Sequence, residues 1–206
     1  MKNLFIVVVL FCIGCSTTQE KLPIAGYKDI RSVDGKMDTI YHTIQDFAFL
    51  NQDSMIITEK TFEDKVYVAD FFFTSCPSIC PKMKQQMLRV YERFYDEPQL
   101  LILSHTIDPK HDTVAVLKEY AKLLEVESSK WHFVTGDMDK IYAIAEKSYF
   151  APAGEDEEAP GGFLHNGAFV LVDKDRRIRG VYDGTDEFQV DKLIKDIPRL
   201  IQEYEN

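Results

Sequence analysis

Apolar residues along this chain follow two different spacings, and each spacing predicts a different secondary structure. Continuous apolar and β-branched runs predict buried strands, whereas apolar positions three and four residues apart predict helices. Strands are predicted in this way at residues 66–73, 99–107, 130–134, 167–172 and 177–182. Helices are predicted at residues 82–95, 114–124, 138–148 and 187–204.

Turn-forming residues separate these elements and indicate how they connect. Residues 45–50 and 55–57 flank a polar Asn-Gln-Asp-Ser stretch and predict an N-terminal hairpin. Residues 167–172 and 177–182 predict a second hairpin, and residues 151–162 predict a loop because they are rich in proline, glycine and acids. The alternation of strands and helices predicts an α/β fold with a central mixed sheet flanked by helices. Sites in such folds lie at the carboxyl ends of the central strands.

Two cysteines, Cys76 and Cys80, lie where the strand at 66–73 gives way to the helix at 82–95. A helix N-terminus favours the thiolate form, which attacks disulfides and binds metals. If the helix has begun by Ile79, the cysteines lie about one turn apart, which is compatible with a disulfide or with two sulfurs on one metal ion. A purely structural disulfide, or two buried thiols, is the alternative. The helix start and the flanking prolines favour a functional pair.

Length and charge narrow the class of protein. The 206 residues suffice for one domain with a sizeable core. The net charge of −10, with no basic stripe, argues against a nucleic-acid binder. A solvated acidic surface is the simpler explanation of this charge, and docking to a basic partner is the alternative.

The first fourteen residues have the features of a signal peptide. Lys2 is the one charge, and the apolar run at residues 4–13 is too short to span a bilayer comfortably. Gly14 before Cys15 resembles a bacterial lipobox, in which the cysteine is lipidated after cleavage, although Cys12 stands where that pattern prefers leucine.

These features predict the domain organisation and the localisation. We expect residues 1–14 to be a signal peptide, residues 15–26 to be a lipidated cysteine with a tether, and residues 27–206 to form the domain. An uncleaved anchor or an ordinary signal peptide is the alternative. The expected location is the cell envelope, with the domain anchored to a membrane and facing the periplasm, where disulfides form.

Three motifs occur together in this chain. They are Phe-Thr-Ser-Cys-Pro-Ser-Ile-Cys-Pro at residues 73–81, Thr-Ile-Asp-Pro-Lys-His-Asp-Thr at 106–113, and Leu-His-Asn-Gly at 164–167. In this order they resemble the Sco/SenC family, over roughly residues 40–204. The resemblance implies a thioredoxin-like fold and a membrane-tethered copper-handling domain that serves cytochrome c oxidase assembly.

The resemblance also implies a set of site residues. The copper ligands of the family correspond to Cys76, Cys80 and His165, and its paired aspartates correspond to Asp108 and Asp112. Two thiolates and one imidazole suit Cu(I), and with a weak further ligand they hold Cu(II). Zinc is the competing metal, because two cysteines and one histidine also bind zinc.

The two aspartates have a structural alternative. Asp112 or Thr113 is placed to cap the helix at 114–124, which would account for Asp112 without any role in the site. Asp108 ends a predicted central strand, so its functional role would be to set the hydrogen bonding or electrostatics around the ligands.

The rival class is an enzyme, a thiol–disulfide reductase in which Cys76 attacks and Cys80 resolves the mixed disulfide. Reductases of the thioredoxin-like fold resemble one another in a proline before the strand that faces the cysteines. Residues 163–168 contain no proline and place His165 there, which favours a metal carrier. A peroxidase is a weaker third class. The expected partner is the copper-bearing subunit of cytochrome c oxidase, or another copper or thiol protein.

Overall fold

The structure is a computed structural model that describes residues 20–33, 36–156 and 158–205. The predicted signal peptide and Cys15 lie outside the described residues. No helix in the described ranges is long and apolar enough to cross a membrane.

The described residues form eleven strands, four α-helices and one short 3-10 helix at Glu59–Phe62. The strands are β1 (Lys28–Val33), β2 (Lys36–Tyr41), β3 (Ala48–Asn51), β4 (Ile56–Thr58), β5 (Val66–Phe72), β6 (Leu100–Thr106), β7 (Trp131–Thr135), β8 (Ala153–Glu155), β9 (Phe163–His165), β10 (Ala168–Val172) and β11 (Ile178–Asp183). The helices are α1 (Cys80–Arg93), α2 (Val114–Leu123), α3 (Met138–Lys147) and α4 (Glu187–Gln202).

Seven strands form a central mixed sheet in the order β11-β10-β5-β6-β7-β3-β4. The inner strands β5, β6 and β7 run parallel, and the strands outside them pair antiparallel. Every residue of β5 is buried, because both faces of the sheet are covered. On one face Phe72 stacks on Tyr120 of α2, and on the other Phe71 contacts Tyr149 just after α3.

The sequence predictions for the central sheet and the four helices are confirmed to within two residues at each end. The predicted N-terminal hairpin is β3–β4. The hairpin β1–β2 was not predicted from the sequence; it forms a separate two-stranded sheet whose apolar residues, such as Ile30 and Met37, are exposed. Because neither face of this hairpin packs into the core, no clean alternation marks it.

The loop prediction for residues 151–162 is wrong at its start. β8 lies inside this stretch and pairs antiparallel with β9, so that Ala153 stands opposite His165. Composition alone did not predict this pairing, because the partner strand begins beyond the glycines.

Arg179 of β11 holds the N-terminal segment against the domain. Its guanidinium donates to the carbonyl of Leu22 at 2.6 Å and to the carboxylates of Asp173 at 3.1 Å and Glu203 at 2.6 Å. The second oxygen of Glu203 accepts the Leu22 N–H at 2.6 Å. The Arg179 side chain is 5% exposed, so this is a buried ion network that joins the chain to the domain from Leu22 onward.

We expect Arg179→Met to destabilise the fold, because it leaves the buried Asp173 carboxylate and the partly buried Glu203 carboxylate without their cation. The expected loss is about 3–5 kcal/mol of unfolding free energy. Arg177→Met is the matched control, since Arg177 meets Asp175 at 3.4 Å on the surface and should cost about 1 kcal/mol or less. Urea unfolding of both variants measures the difference, and equal losses would contradict the prediction.

Candidate metal centre

The two cysteines lie at the junction between β5 and α1, as the sequence predicts. β5 ends at Phe72 and α1 begins at Cys80, with Cys76 in the turn between them. The Cys76 N–H donates to the Phe73 carbonyl at 3.2 Å, which closes the turn. No side chain caps α1, and Pro81 occupies its first turn. Both thiols are buried, with Cys76 7% and Cys80 5% exposed.

The two thiols differ in acidity. Burial raises the pKa of Cys76, but hydrogen bonds from the Cys80 thiol, from the backbone N–H groups of Ser78 and Cys80, and from the Ser78 hydroxyl outweigh it. The pKa of Cys76 therefore lies below its usual range. Burial raises the pKa of Cys80 well above its usual range, and donation to Cys76 raises it further. Cys76 is therefore the more acidic of the two thiols.

A buried carboxyl group, Asp70, lies in β5 and was missed by the sequence analysis. It accepts a hydrogen bond from Ser104, whose hydroxyl accepts the Trp131 indole N–H at 2.8 Å. Burial raises the pKa of Asp70 to about 7, and its charge contributes to the raised pKa of Cys80. A single acid inside the apolar run at 66–73 was the available signal.

Asp112 braces the cysteine loop. Its carboxylate accepts the Thr74 N–H at 3.0 Å and the hydroxyls of Thr74 and Thr106, and it is fully buried. The capping alternative for Asp112 is wrong, because the Thr113 hydroxyl accepts the backbone N–H that caps α2. Asp112 therefore links the end of β6 to a residue two positions before Cys76.

Asp108 braces the neighbouring loop. Its buried carboxylate meets the His111 Nδ1 at 2.7 Å, and its backbone N–H donates to the Thr106 hydroxyl at 3.0 Å. The two aspartates share Thr106 as a partner. Of the pair, Asp112 contacts the cysteine loop directly, whereas the Asp108 carboxylate contacts the loop that carries His111.

The strand that carries His165 lies against the cysteine loop. The Phe163 ring lies 5.1 Å from that of Phe73, and a Cβ at Gly161 would come within 3.0 Å of Pro77. On the other side of His165, a Cβ at Gly167 would lie 3.9 Å from Ile79. These contacts place β9 and the residues that flank it against the segment at residues 73–79, which leads into the second cysteine. The His165 side chain lies outside the part of the structure that is described.

The described side chains supply two of the three predicted ligands. Among them, no group of three His, Cys, Asp or Glu residues is close enough to hold a metal ion. The two thiols form a soft donor pair, which fits Cu(I) better than hard cations. Metal binding at this pair requires loss of the Cys80 proton, so it releases a proton.

A mixed sheet of this order, with a thiol pair at the start of the helix after its central strand, defines a thioredoxin-like dithiol protein. Its family follows from the sequence: the SCO1/SenC family model matches residues 35–202. The chain belongs to the SCO1/SenC family.

Individual relatives agree with this assignment. The SCO1 protein homolog of Bacillus subtilis is 30% identical over 166 residues, covering 78% of this chain and 83% of the homolog. A relative from Stutzerimonas stutzeri, named as a candidate copper-binding protein, is 28% identical and covers 77% of this chain and 76% of its own length.

A solved structure of a Sco protein is also similar to this chain in its fold. BsSco, described with a disulfide switch and as a member of the Sco family of cytochrome c oxidase assembly proteins, superposes with a TM-score of 0.69. It is 28% identical, and the match covers 78% of this chain and 94% of that one.

The raised pKa of Asp70 predicts a pH-dependent cost to stability. Below pH 3.8 the carboxyl is protonated in both the folded and unfolded chain, whereas between pH 3.8 and about 7 only the unfolded chain ionises. The contribution of Asp70 to wild-type stability should therefore fall as the pH rises across this window, by at most about 4 kcal/mol.

We expect Asp70→Asn to remove this dependence on pH. The unfolding free energy of the variant, compared with that of the wild type, should therefore be more favourable at pH 8 than at pH 4. Urea unfolding at the two pH values measures the change. Asp139→Asn, at an exposed position of α3, controls for the loss of one negative charge. An Asp70→Asn profile parallel to that of the wild type would contradict the prediction.

Proposed function

We propose that this protein is a membrane-tethered copper carrier for cytochrome c oxidase assembly, with copper as its cargo. Cys76, Cys80 and His165 are the proposed ligands, and the copper-bearing subunit of the oxidase is the proposed acceptor. The buried thiol pair carries the proposal, because it offers two soft donors on a rigid junction. Family membership and the descriptions of BsSco and of the Stutzerimonas stutzeri relative support it.

In this proposal the fixed part and the added part of the site have separate tasks. The thiols hold Cu(I), which needs few ligands, and are positioned by β5 and by the Asp112 brace. His165 is part of β9 and would complete the coordination that Cu(II) requires. An acceptor ligand that replaces one donor at a time would then move the metal without releasing it to water.

A second candidate function is thiol–disulfide exchange, and the unequal thiol pKa values favour it. The Cys76 thiolate would attack a substrate disulfide, releasing one substrate sulfur as a thiolate and forming a mixed disulfide. Cys80 would then lose its proton and attack the Cys76 sulfur. The second substrate sulfur leaves, the substrate has gained two electrons, and a Cys76–Cys80 disulfide remains.

One experiment separates the two functions. The reduced domain is titrated with Cu(I) against a chromophoric chelator, mixed with the metal-free copper domain of the oxidase, and separately assayed for reduction of a disulfide substrate. A carrier should bind one copper, transfer it and reduce the disulfide slowly. Protein oxidised at Cys76 and Cys80 should take up no copper, because no thiolate remains. Full copper uptake by the oxidised protein would refute the ligand assignment.

His165→Ala should affect the two oxidation states of copper unequally. We expect Cu(II) binding to fall by about tenfold or more, because one of three donors is lost, and Cu(I) binding to change little, because two thiolates suffice for it. Visible absorption of the Cu(II) complex and chelator competition for Cu(I) measure both. His42→Ala, remote from the thiols in sequence, is the control. An unchanged Cu(II) spectrum would remove His165 from the site.

The proposed membrane anchor depends on Cys15. We expect Cys15→Ser to release the domain from the membrane fraction, because lipidation at that residue would be lost. Fractionation of cells expressing the tagged protein measures the change, and Cys12→Ser is the matched control. A Cys15→Ser variant that is processed and still sediments with membranes would refute lipid anchoring.

A further inference from the structure

The outer edge of β11 has no role in the function proposed so far. β11 ends the central sheet, and β10 is its one strand neighbour among the described residues. The Gly184 N–H donates to the Gly167 carbonyl at 2.7 Å, and hydrogen-bonded pairs alternate with non-bonded pairs along an antiparallel ladder. The backbone N–H and C=O of Tyr182 therefore bond to β10, whereas the backbone groups of Val181 and Asp183 point away from β10.

Part of this edge is already covered by an extended segment of the same chain. The Ala25 N–H donates to the Ile178 carbonyl at 2.8 Å, at the start of β11. Gly26, with φ of +94°, then turns the chain away toward β1. Within the described residues this cover stops at the beginning of the strand. Val181 lies beyond this cover, and the residue is 56% exposed.

The open part of the edge borders the cysteine site. A groove of about 380 Å³ is lined by Val181 and Asp183 of the edge strand together with Ile79 and Asn166. Ile79 directly precedes the second cysteine, and Asn166 directly follows the candidate histidine. A chain lying along this edge would therefore pass beside both halves of the proposed copper site.

We propose that the open edge of β11 binds an extended segment of the acceptor protein by strand addition. This deepens the proposed function and rests on it, because the segment would bring an acceptor ligand to the copper. The occupant is an extended polypeptide, since the outward N–H and C=O of Val181 and the N–H of Asp183 match main-chain groups. The hydrogen bond from Ala25 shows that this edge accepts such a segment.

The same geometry specifies the chemistry of the bound segment. An apolar side chain fits the groove beside Ile79, Ala168 and Val181. A soft ligand, Cys, Met or His, lies close to it in sequence, so that main-chain pairing on β11 holds it next to the thiols.

Three variants test this docking edge. Val181→Pro removes the outward N–H but no bond to β10, and proline is tolerated on edge strands when its N–H side faces solvent. Val181→Thr keeps the N–H and the branched shape. Ile56→Pro is the matched control on β4, the opposite edge. There the Asn51 N–H donates to the Met55 carbonyl at 2.9 Å. The next residue, Ile56, therefore directs its backbone N–H away from β3, as Val181 does from β10, and Ile56 is 69% exposed.

Cu(I)-loaded protein is mixed with the metal-free soluble copper domain of the oxidase subunit, and the second-order transfer rate is measured. We expect Val181→Pro to slow transfer by about tenfold, since it removes one main-chain bond and obstructs the edge. Val181→Thr and Ile56→Pro should transfer at the wild-type rate. All variants should match the wild type in Cu(I) affinity for a chromophoric chelator.

A second measurement needs no variant. Amide hydrogen exchange of the wild-type protein should show added protection at Val181 and Asp183 when the acceptor domain is present, and none at Ile56. Transfer by Val181→Pro at the wild-type rate, equal slowing by Ile56→Pro, or unchanged exchange at Val181 and Asp183 would overturn the docking edge. Protection at these amides without any copper transfer would support the edge and overturn the copper-carrier function instead.

Discussion

Burial of β5 on both of its faces is the constraint on which the site depends. The strand lies between β10 and β6 and carries aromatic side chains to both sides of the sheet, so its end cannot shift without opening the core. Cys76 and Cys80 follow directly from this end, across one short turn and the first residue of α1. The positions of the two cysteines are therefore set by the packing of the whole central sheet, which extends well beyond the site.

Hydrogen bonding refines what packing positions. Asp112 reaches from the end of β6 to Thr74 and fixes the loop before Cys76, while Ser78 and the start of α1 donate to the Cys76 sulfur. The acidity of the two thiols consequently diverges, although they lie four residues apart. The pKa of Cys76 lies below its usual range, and the pKa of Cys80 lies well above it. This asymmetry serves both of the functions proposed for the pair.

The two sides of the site differ in how they are held. The cysteines lie between the central strand β5 and α1, whereas His165 belongs to β9, whose one strand partner in the described residues is β8. Aromatic contact between Phe163 and Phe73 joins this small hairpin to the core. The third proposed ligand is thus mounted on a separate unit beside the first two. Such an arrangement allows one ligand to exchange while the thiols stay in place.

The sequence by itself determined the central sheet, the four helices and the junction that carries the cysteines. Each of those elements buries a continuous face, so its apolar residues recur at a regular spacing that can be detected within the element's own sequence. It also determined the family, through three motifs that stand in the family's order.

Only the tertiary structure decided what the polar residues do. The sequence predicts Asp112 as a helix cap, yet Asp112 braces the cysteine loop, because Thr74 of that loop, 38 residues earlier in the chain, lies against it. Asp70 acquires its raised pKa from burial between strands, and β8 and β9 exist because they pair with each other. The sequence likewise does not predict that β11 lies at the edge of the sheet. Each of these properties depends on which distant groups the fold brings together, and local periodicity carries no record of such contacts.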